Sequence, residues 1–268
     1  VADVPLGMFL SGGIDSSAVV AVAQAVSVNK VKTFSIGFEE DSFNEAPFAE
    51  EVAKALGTDH TELYCSAEMV KASIKNVIKH YDEPFSDASQ LPTLALCKLA
   101  REHVTVCLSG DGGDELFFGY SRYFRAKNRS RQVNAIPKPL RSLISFISSQ
   151  INPRMISYDT FQKIGLICER ISLIGSKWNF YRTFISRGGL SNQLVRNKSK
   201  VDFLFTRPKN ILSFDDAMRF SDTKQYLTDD ILVKVDRASM ASSLEVRVPL
   251  LNHNIVEFAW TLSNEILN

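Results

Sequence analysis

Apolar residues in the first half of the chain fall into short unbroken runs alternating with stripes at helical spacing. Gly7-Met8-Phe9-Leu10 is a run too short for a helix and reads as a buried strand. A glycine turn, Ser11-Gly12-Gly13, follows it. Asp15 or Ser16 is then placed to cap a helix running through Ala18–Ala23. Lys32–Phe38, His60–Tyr64 and Val104–Leu108 read as three further strands. Between them the pattern predicts helices over Phe48–Leu56, stopped by Gly57, over Met69–Ile78, and over Leu91–His103 with Pro92 in its first turn. Strands alternating with helices predict an α/β fold: a parallel sheet with helices on both faces. Ligands of such sheets bind beyond the carboxyl ends of the strands.

From about Phe117 the pattern changes to a mainly helical second half with no strand pair. Tyr226–Arg237 reads as a capped helix, and Pro249 ends any regular element after Glu245-Val246-Arg247. Local ion pairs are expected between Asp236 and Arg237 and between Glu245 and Arg247, with Met240 in the core. Leu116–Tyr158 contains no acid, yet carries Arg122, Arg125, Lys127, Arg129, Arg131, Lys138, Arg141 and Arg154. This is read as a solvated helical face balancing the acid-rich stretch after Phe38, in preference to attraction of polyphosphate or contact with RNA. Pro137 and Pro139 mark a break, and residues 152–200 carry no clear signal. The expected division is an α/β core over 1–128, a helical insertion over 129–221, and a helical segment over 222–268 that returns to complete the site.

At 268 residues, 45% hydrophobic and 23% charged, with a net charge of +1, the chain is long enough for a large core. It shows no global drive toward nucleic acid or membrane, and neither is expected as a partner. Cys65, Cys97, Cys107 and Cys168 have neither metal spacing nor a paired framework, which fits a reducing, cytoplasmic setting, with Cys107 a buried thiol. The chain opens without Met, a few residues before its main loop, and reads as a fragment of a longer protein.

Two Gly-rich loops, each following a strand, carry the chemistry. In the first, Gly12 and Gly13 allow close approach to a backbone whose helix N-terminus suits phosphate. No Gly-Lys-Ser/Thr is present, so a Walker-type loop is excluded; an acid, Asp15, stands there instead. The second loop, Ser109-Gly110-Asp111-Gly112-Gly113-Asp114-Glu115, adds three acids. Acids beside phosphate make sense when a divalent cation bridges them, and Asp15 with Asp114 is the expected metal pair. Lys234 is the candidate cation for the phosphates.

The Ser-Gly-Gly-Ile-Asp-Ser-Ser order resembles the pyrophosphate loop of ATP pyrophosphatases. With Phe34–Phe38, Ala55–His60, Tyr81-Asp82-Glu83-Pro84, Leu108–Glu115 and Asp236–Leu251, the chain resembles the synthetase domain of glutamine-hydrolysing asparagine synthetases, an adenine nucleotide alpha hydrolase-like fold. The resemblance covers much of 1–125 and 222–260. It implies ATP and Mg²⁺ as cofactors, with ATP held by Leu10, Ser11, Gly12, Gly13, Asp15, Ser16, Ile36, Ser109 and Gly110. It implies metal at Asp15 and Asp114, and catalytic roles for Lys234 and Asp111. Aspartate would attack the α-phosphate, releasing pyrophosphate and forming β-aspartyl-AMP, and ammonia would displace AMP. An upstream glutaminase domain, absent from this chain, is the implied source of ammonia, and there is room for a homodimer. Two positions depart from the family: Asp111, where some members have Glu, and Asn252, where Asp is frequent. The alternatives are the same adenylation applied to another carboxylate, as in cell-surface polysaccharide or β-lactam pathways, and a non-catalytic nucleotide- or RNA-binding module.

Overall fold

β1, Leu6–Phe9, lies at the centre of a five-stranded, wholly parallel sheet of order β3-β2-β1-β4-β5. The computed structural model describes residues 3–40, 44–137, 139–140, 142–143, 146, 181, 185 and 213–267. From β1 the chain passes through α1, Ile14–Val26, to β2, Lys32–Phe38, then through α2, Ala46–Leu56, to β3, Asp59–Cys65. It then reverses direction across the sheet. Helices α3, Ala67–His80, and α4, Gln90–Arg101, lead to β4, Val106–Leu108, on the other side of β1. The reversal places the ends of β1 and β4 side by side, with Gly7 opposite Cys107 and Met8 opposite Leu108. A ligand crevice is expected at such a switch point.

Alternation along the strands sends side chains to two cores. Met8 and Leu10 pack with Val20 of α1 and Ala49 and Ala53 of α2. Phe34 and Cys107 face the opposite way, toward Leu94, Cys97 and Ala100 of α4. Both faces are therefore covered by helices, as the sequence pattern predicts. Gly57 ends α2 in the left-handed conformation, with φ of 70°.

The second half holds a strand that the pattern did not predict. β5, Glu245–Arg247, adds in parallel to β4, pairing Cys107 with Val246. It follows a π-helical segment, Asp222–Ile231, and a helix, here α8, Leu232–Met240. The expected capped helix over Tyr226–Arg237 is therefore π-helical through Ile231, and α8 has no side-chain cap. Arg237 pairs with Asp82, not with its neighbour Asp236, because the α8 face it occupies meets the chain after α3. Arg247 does pair with Glu245, at 2.6 Å. Met240 is 51% exposed at the end of α8, not in the core. After β5, a 3-10 turn over Pro249–Leu251 leads to α9, His253–Thr261, and α10, Asn264–Leu267. Asn252 caps α9 by accepting from Asn254 N at 3.0 Å, a role that does not require an acid.

These elements, with α5, Gly113–Phe117, make one compact unit over Val1–Gly119 and Asp222–Asn268. The other unit spans Tyr120–Ser221. Its described helices are α6, Ser121–Asn134, and α7, Phe214–Ser221. Tyr123 and Tyr181 are fully buried in it, and Lys127 Nζ pairs with Asp215 Oδ2 at 2.6 Å. The basic face of α6 is thus partly engaged internally: the Arg122 guanidinium lies 3.8 Å over the Tyr120 ring, and Arg125 donates to Ser121 Oγ at 3.0 Å. Lys138, Arg141, Arg154, Cys168 and most of 152–200 lie outside the described residues. Cys65, Cys97 and Cys107 are buried free thiols. Among the described residues no helix is long and apolar enough to cross a membrane.

Candidate active site

The first loop leaves β1 with Leu10 N donating to Phe34 O at 2.9 Å, which carries the β1–β2 ladder one residue past the strand. Leu10 is 2% exposed, and Ile36, farther along β2, is half-buried. Gly12 turns the chain with φ of +81°, and a Cβ there would lie 2.6 Å from Phe48 Cβ and 2.8 Å from Ala49 N. Both the dihedral and the space require glycine. Gly13 is the N-cap of α1, so neither Asp15 nor Ser16 caps it; they lie two and three residues further, in the first turn. Ser16 serves the loop instead. Its hydroxyl accepts from Ser11 N at 3.2 Å, lies 3.0 Å from Ser11 Oγ, and donates to Gly13 O at 3.2 Å. Ser11 Oγ accepts from Gly13 N at 3.2 Å. Two serines thereby fix the turn, leaving Asp15 to project from the helix start.

The second loop leaves β4 and rests on β5. Ser109 N donates to Arg247 O at 2.9 Å, and Leu251 packs where a Cβ on Gly112 would stand. The Ser109 hydroxyl donates to Asp111 Oδ2, closing a tight local turn, and Asp111 N returns to Ser109 Oγ at 3.3 Å. Asp114 then lies in the first turn of α5.

The two loops touch. A Cβ on Gly110 would fall 2.7 Å from Ser16 N, so the second loop's backbone lies directly on the first turn of α1. A Cβ on Gly113 would overlap the Asp15 carboxylate. Asp15 thus lies against Gly113 of the second loop, within electrostatic reach of Asp114 and Asp111. Burial, then the Asp114 charge, then the Asp111 charge push the Asp15 carboxyl up to about 6. Asp111 is also raised by burial, against the opposing effects of the Ser109 hydroxyl and the Lys234 charge. Such mutual repulsion is what a bound divalent cation would relieve. Among the described residues no group of three or more His, Cys, Asp or Glu forms a metal cluster.

Lys234, on α8, is 9% exposed, not a surface lysine. Its ammonium donates to Asp87 Oδ2 at 2.9 Å and to Ser89 Oγ at 2.8 Å, and its charge reaches Asp111. Sequence reasoning missed Asp87 and Ser89. Their partner is 147 and 145 positions away, and nothing local in the sequence marks the pairing. The quoted Tyr81-Asp82-Glu83-Pro84 stretch was the nearest signal.

The family model described as Asparagine synthase matches residues 1–267. The chain is 33% identical over 270 residues to asparagine synthetase (glutamine-hydrolyzing) 1 of Bacillus subtilis (strain 168), covering 98% of this chain and 41% of that protein. It is 35% identical over 250 residues to putative asparagine synthetase (glutamine-hydrolyzing) 2 of Methanocaldococcus jannaschii, covering 92% and 47%. It is 25% identical over 212 residues to asparagine synthetase B (glutamine-hydrolyzing) of Escherichia coli (strain K12), covering 73% and 38%. The chain thus spans about two fifths of the length of the curated relatives it matches. A match over nearly every residue, on a parallel sheet with two interlocked acidic loops at its switch point, shows that the chain belongs to the asparagine synthase family.

Proposed function

We propose that this chain is the synthetase part of a ligase that makes asparagine from aspartate, ATP and ammonia. Backbone N–H groups and hydroxyls of Ser11, Gly12, Gly13, Ser16, Ser109 and Gly110 hold the ATP, with the base near Leu10, Ile36 and Gly110. Asp15 and Asp114 would hold Mg²⁺, which supplies charge neutralisation for the polyphosphate. An oxygen of the aspartate β-carboxylate attacks the α-phosphorus, the α–β bridging P–O bond breaks, and pyrophosphate leaves. This forms β-aspartyl-AMP. Ammonia then attacks the acyl carbon, AMP leaves, and the nitrogen loses a proton. Lys234 places positive charge beside the departing phosphates, where negative charge grows in the transition state. Asp111 faces the acceptor and its nucleophile. In the full-length protein an upstream glutaminase domain supplies the ammonia, and a second copy of the protein completes a homodimer. Three buried free thiols among the described residues support a reducing, cytoplasmic setting.

The observation that supports this reading is the contact of the two acidic loops, which sets Asp15 against Gly113 within electrostatic reach of Asp114 and Asp111. The test is AMP and pyrophosphate release with ATP, Mg²⁺, ammonium and aspartate. Asparagine formed in equal amount to AMP supports the reading. AMP release stimulated by another acid but not by aspartate rejects the acceptor. ATP·Mg²⁺ binding unchanged in Asp15→Ala and Asp114→Ala rejects the metal pair.

A further inference from the structure

Lys234 carries a charge where water scarcely reaches, and an ammonium in that position needs an anion. Its anion comes from the segment between α3 and α4. The two oxygens of Asp87 do different work. Oδ1 accepts from Ser89 N and from Ser89 Oγ, both at 2.8 Å, and so fixes its own turn. Oδ2 takes the lysine at 2.9 Å, while Ser89 Oγ takes a second ammonium hydrogen at 2.8 Å. The same segment is tied down at both ends. Tyr81 donates its hydroxyl to Lys234 O at 3.2 Å, and Gln90 Nε2 donates to Phe85 O at 2.8 Å. The lysine is therefore held at its backbone and at its tip by one stretch of chain. An ammonium has three N–H donors. Asp87 and Ser89 take two, and the third is left for a ligand.

We propose that Asp87 is a positioning residue that holds the Lys234 ammonium in place and aimed at the phosphates, with Ser89 as its helper. This rests on the synthetase reading above. In this reading Asp87 acts through Lys234, the side chain its Oδ2 accepts from, not on the substrate directly. Without it the lysine would keep a long flexible stem and a buried charge with no counter-ion, and the ammonium would move away.

The experiment uses the full-length protein with ammonium as nitrogen donor, comparing wild type with Asp87→Asn, Asp87→Glu, Lys234→Ala and the Asp87→Asn/Lys234→Ala double variant. In Asp87→Asn, kcat is expected to fall at least tenfold with the KM for ATP within threefold, and Asp87→Glu is expected to recover part of the loss. The double variant is expected to be no more than twofold slower than Lys234→Ala alone, since removing the lysine leaves Asp87 nothing to hold. A folded Asp87→Asn protein with kcat within twofold of wild type overturns the proposal. So does a double variant whose loss is the product of the two single losses, which is what a merely structural role predicts. Where Asp87→Asn fails to fold, Ser89→Ala serves: a threefold or larger fall in kcat is expected, and an unchanged kcat overturns the assignment. A wild-type protein that makes no AMP from aspartate rejects the synthetase reading alone. Pyrophosphate·Mg²⁺ binding then decides: affinity at least threefold weaker in Asp87→Asn supports the positioning role, and equal affinity overturns it.

Discussion

The carboxylate of Asp15 lies so close to the Cα of Gly113 that a side-chain carbon there would overlap it. The loops from β1 and β4 therefore interlock through one acid and one glycine. Gly113→Ala should drive the carboxylate from its place. Overpacking of this kind costs about 1–3 kcal/mol, which a urea midpoint would read. Calorimetry should show ATP·Mg²⁺ affinity lost along with it. A variant of wild-type affinity would mean that Asp15 can hold its ligand from another rotamer.

The same acid sets a pH dependence. Asp15 in the folded protein sits at about 6, above its ordinary 3.8. Between those values the folded form binds a proton that the unfolded chain does not, so stability of the metal-free protein falls as pH rises from about 4 to 6. Asp15→Asn should raise the melting temperature of the metal-free protein above pH 6 and change it little near pH 4. It should also abolish the stabilisation by ATP·Mg²⁺. Melting curves across pH, with and without ligand, check both halves.

Gly12→Ala meets two obstacles at once, a φ of +81° and the backbone of Phe48 and Ala49. A non-glycine residue held in such a backbone region costs about 1–3 kcal/mol before any crowding is counted. Loss of stability should exceed that of Gly57→Ala, where φ is +70° but nothing lies within 4 Å. Paired denaturation curves measure the difference.

A half-buried polar chain ties β2 to β3 and the turn before it. Thr33 Oγ1 lies 2.9 Å from Thr58 Oγ1 and 2.9 Å from His60 Nδ1, and Ser35 Oγ lies 3.1 Å from His60 Nε2. Thr33→Val keeps the shape but strands a ring nitrogen, at a cost of about 1–3 kcal/mol. Burial lowers the His60 pKa below its ordinary 6.5. The folded state then resists a proton that the unfolded chain accepts, so stability is lost as pH falls through that range. This slope is opposite in sign to that of Asp15, and His60→Gln should remove it from the melting curves.

β1 and β4 were legible as short apolar runs, β2 and β3 as short segments between turn residues, and four long helices because apolar residues recur along them at helical spacing. β5 was not. Its pattern shows Glu245 and Arg247 exposed around a half-buried Val246, and three residues at a sheet edge leave no periodic trace. The loops were legible as loops, since Gly and Asp cluster there for backbone reasons. Lys234 was found only as a candidate cation, and its depth could not be read because the residues that bury it come from α4 and the segment before it. Asp87 and Ser89 needed the fold itself: pairing across about 150 positions has no local signature.

The support of the second loop by Arg247 and Leu251 has a consequence for how the protein is made. By the time a ribosome has released the chain as far as residue 119, it has already delivered both glycine corners. The strand that braces one of them, and the lysine that faces it, emerge more than a hundred residues later. A nascent chain therefore carries the corners for a long interval before the segment that braces one of them is made.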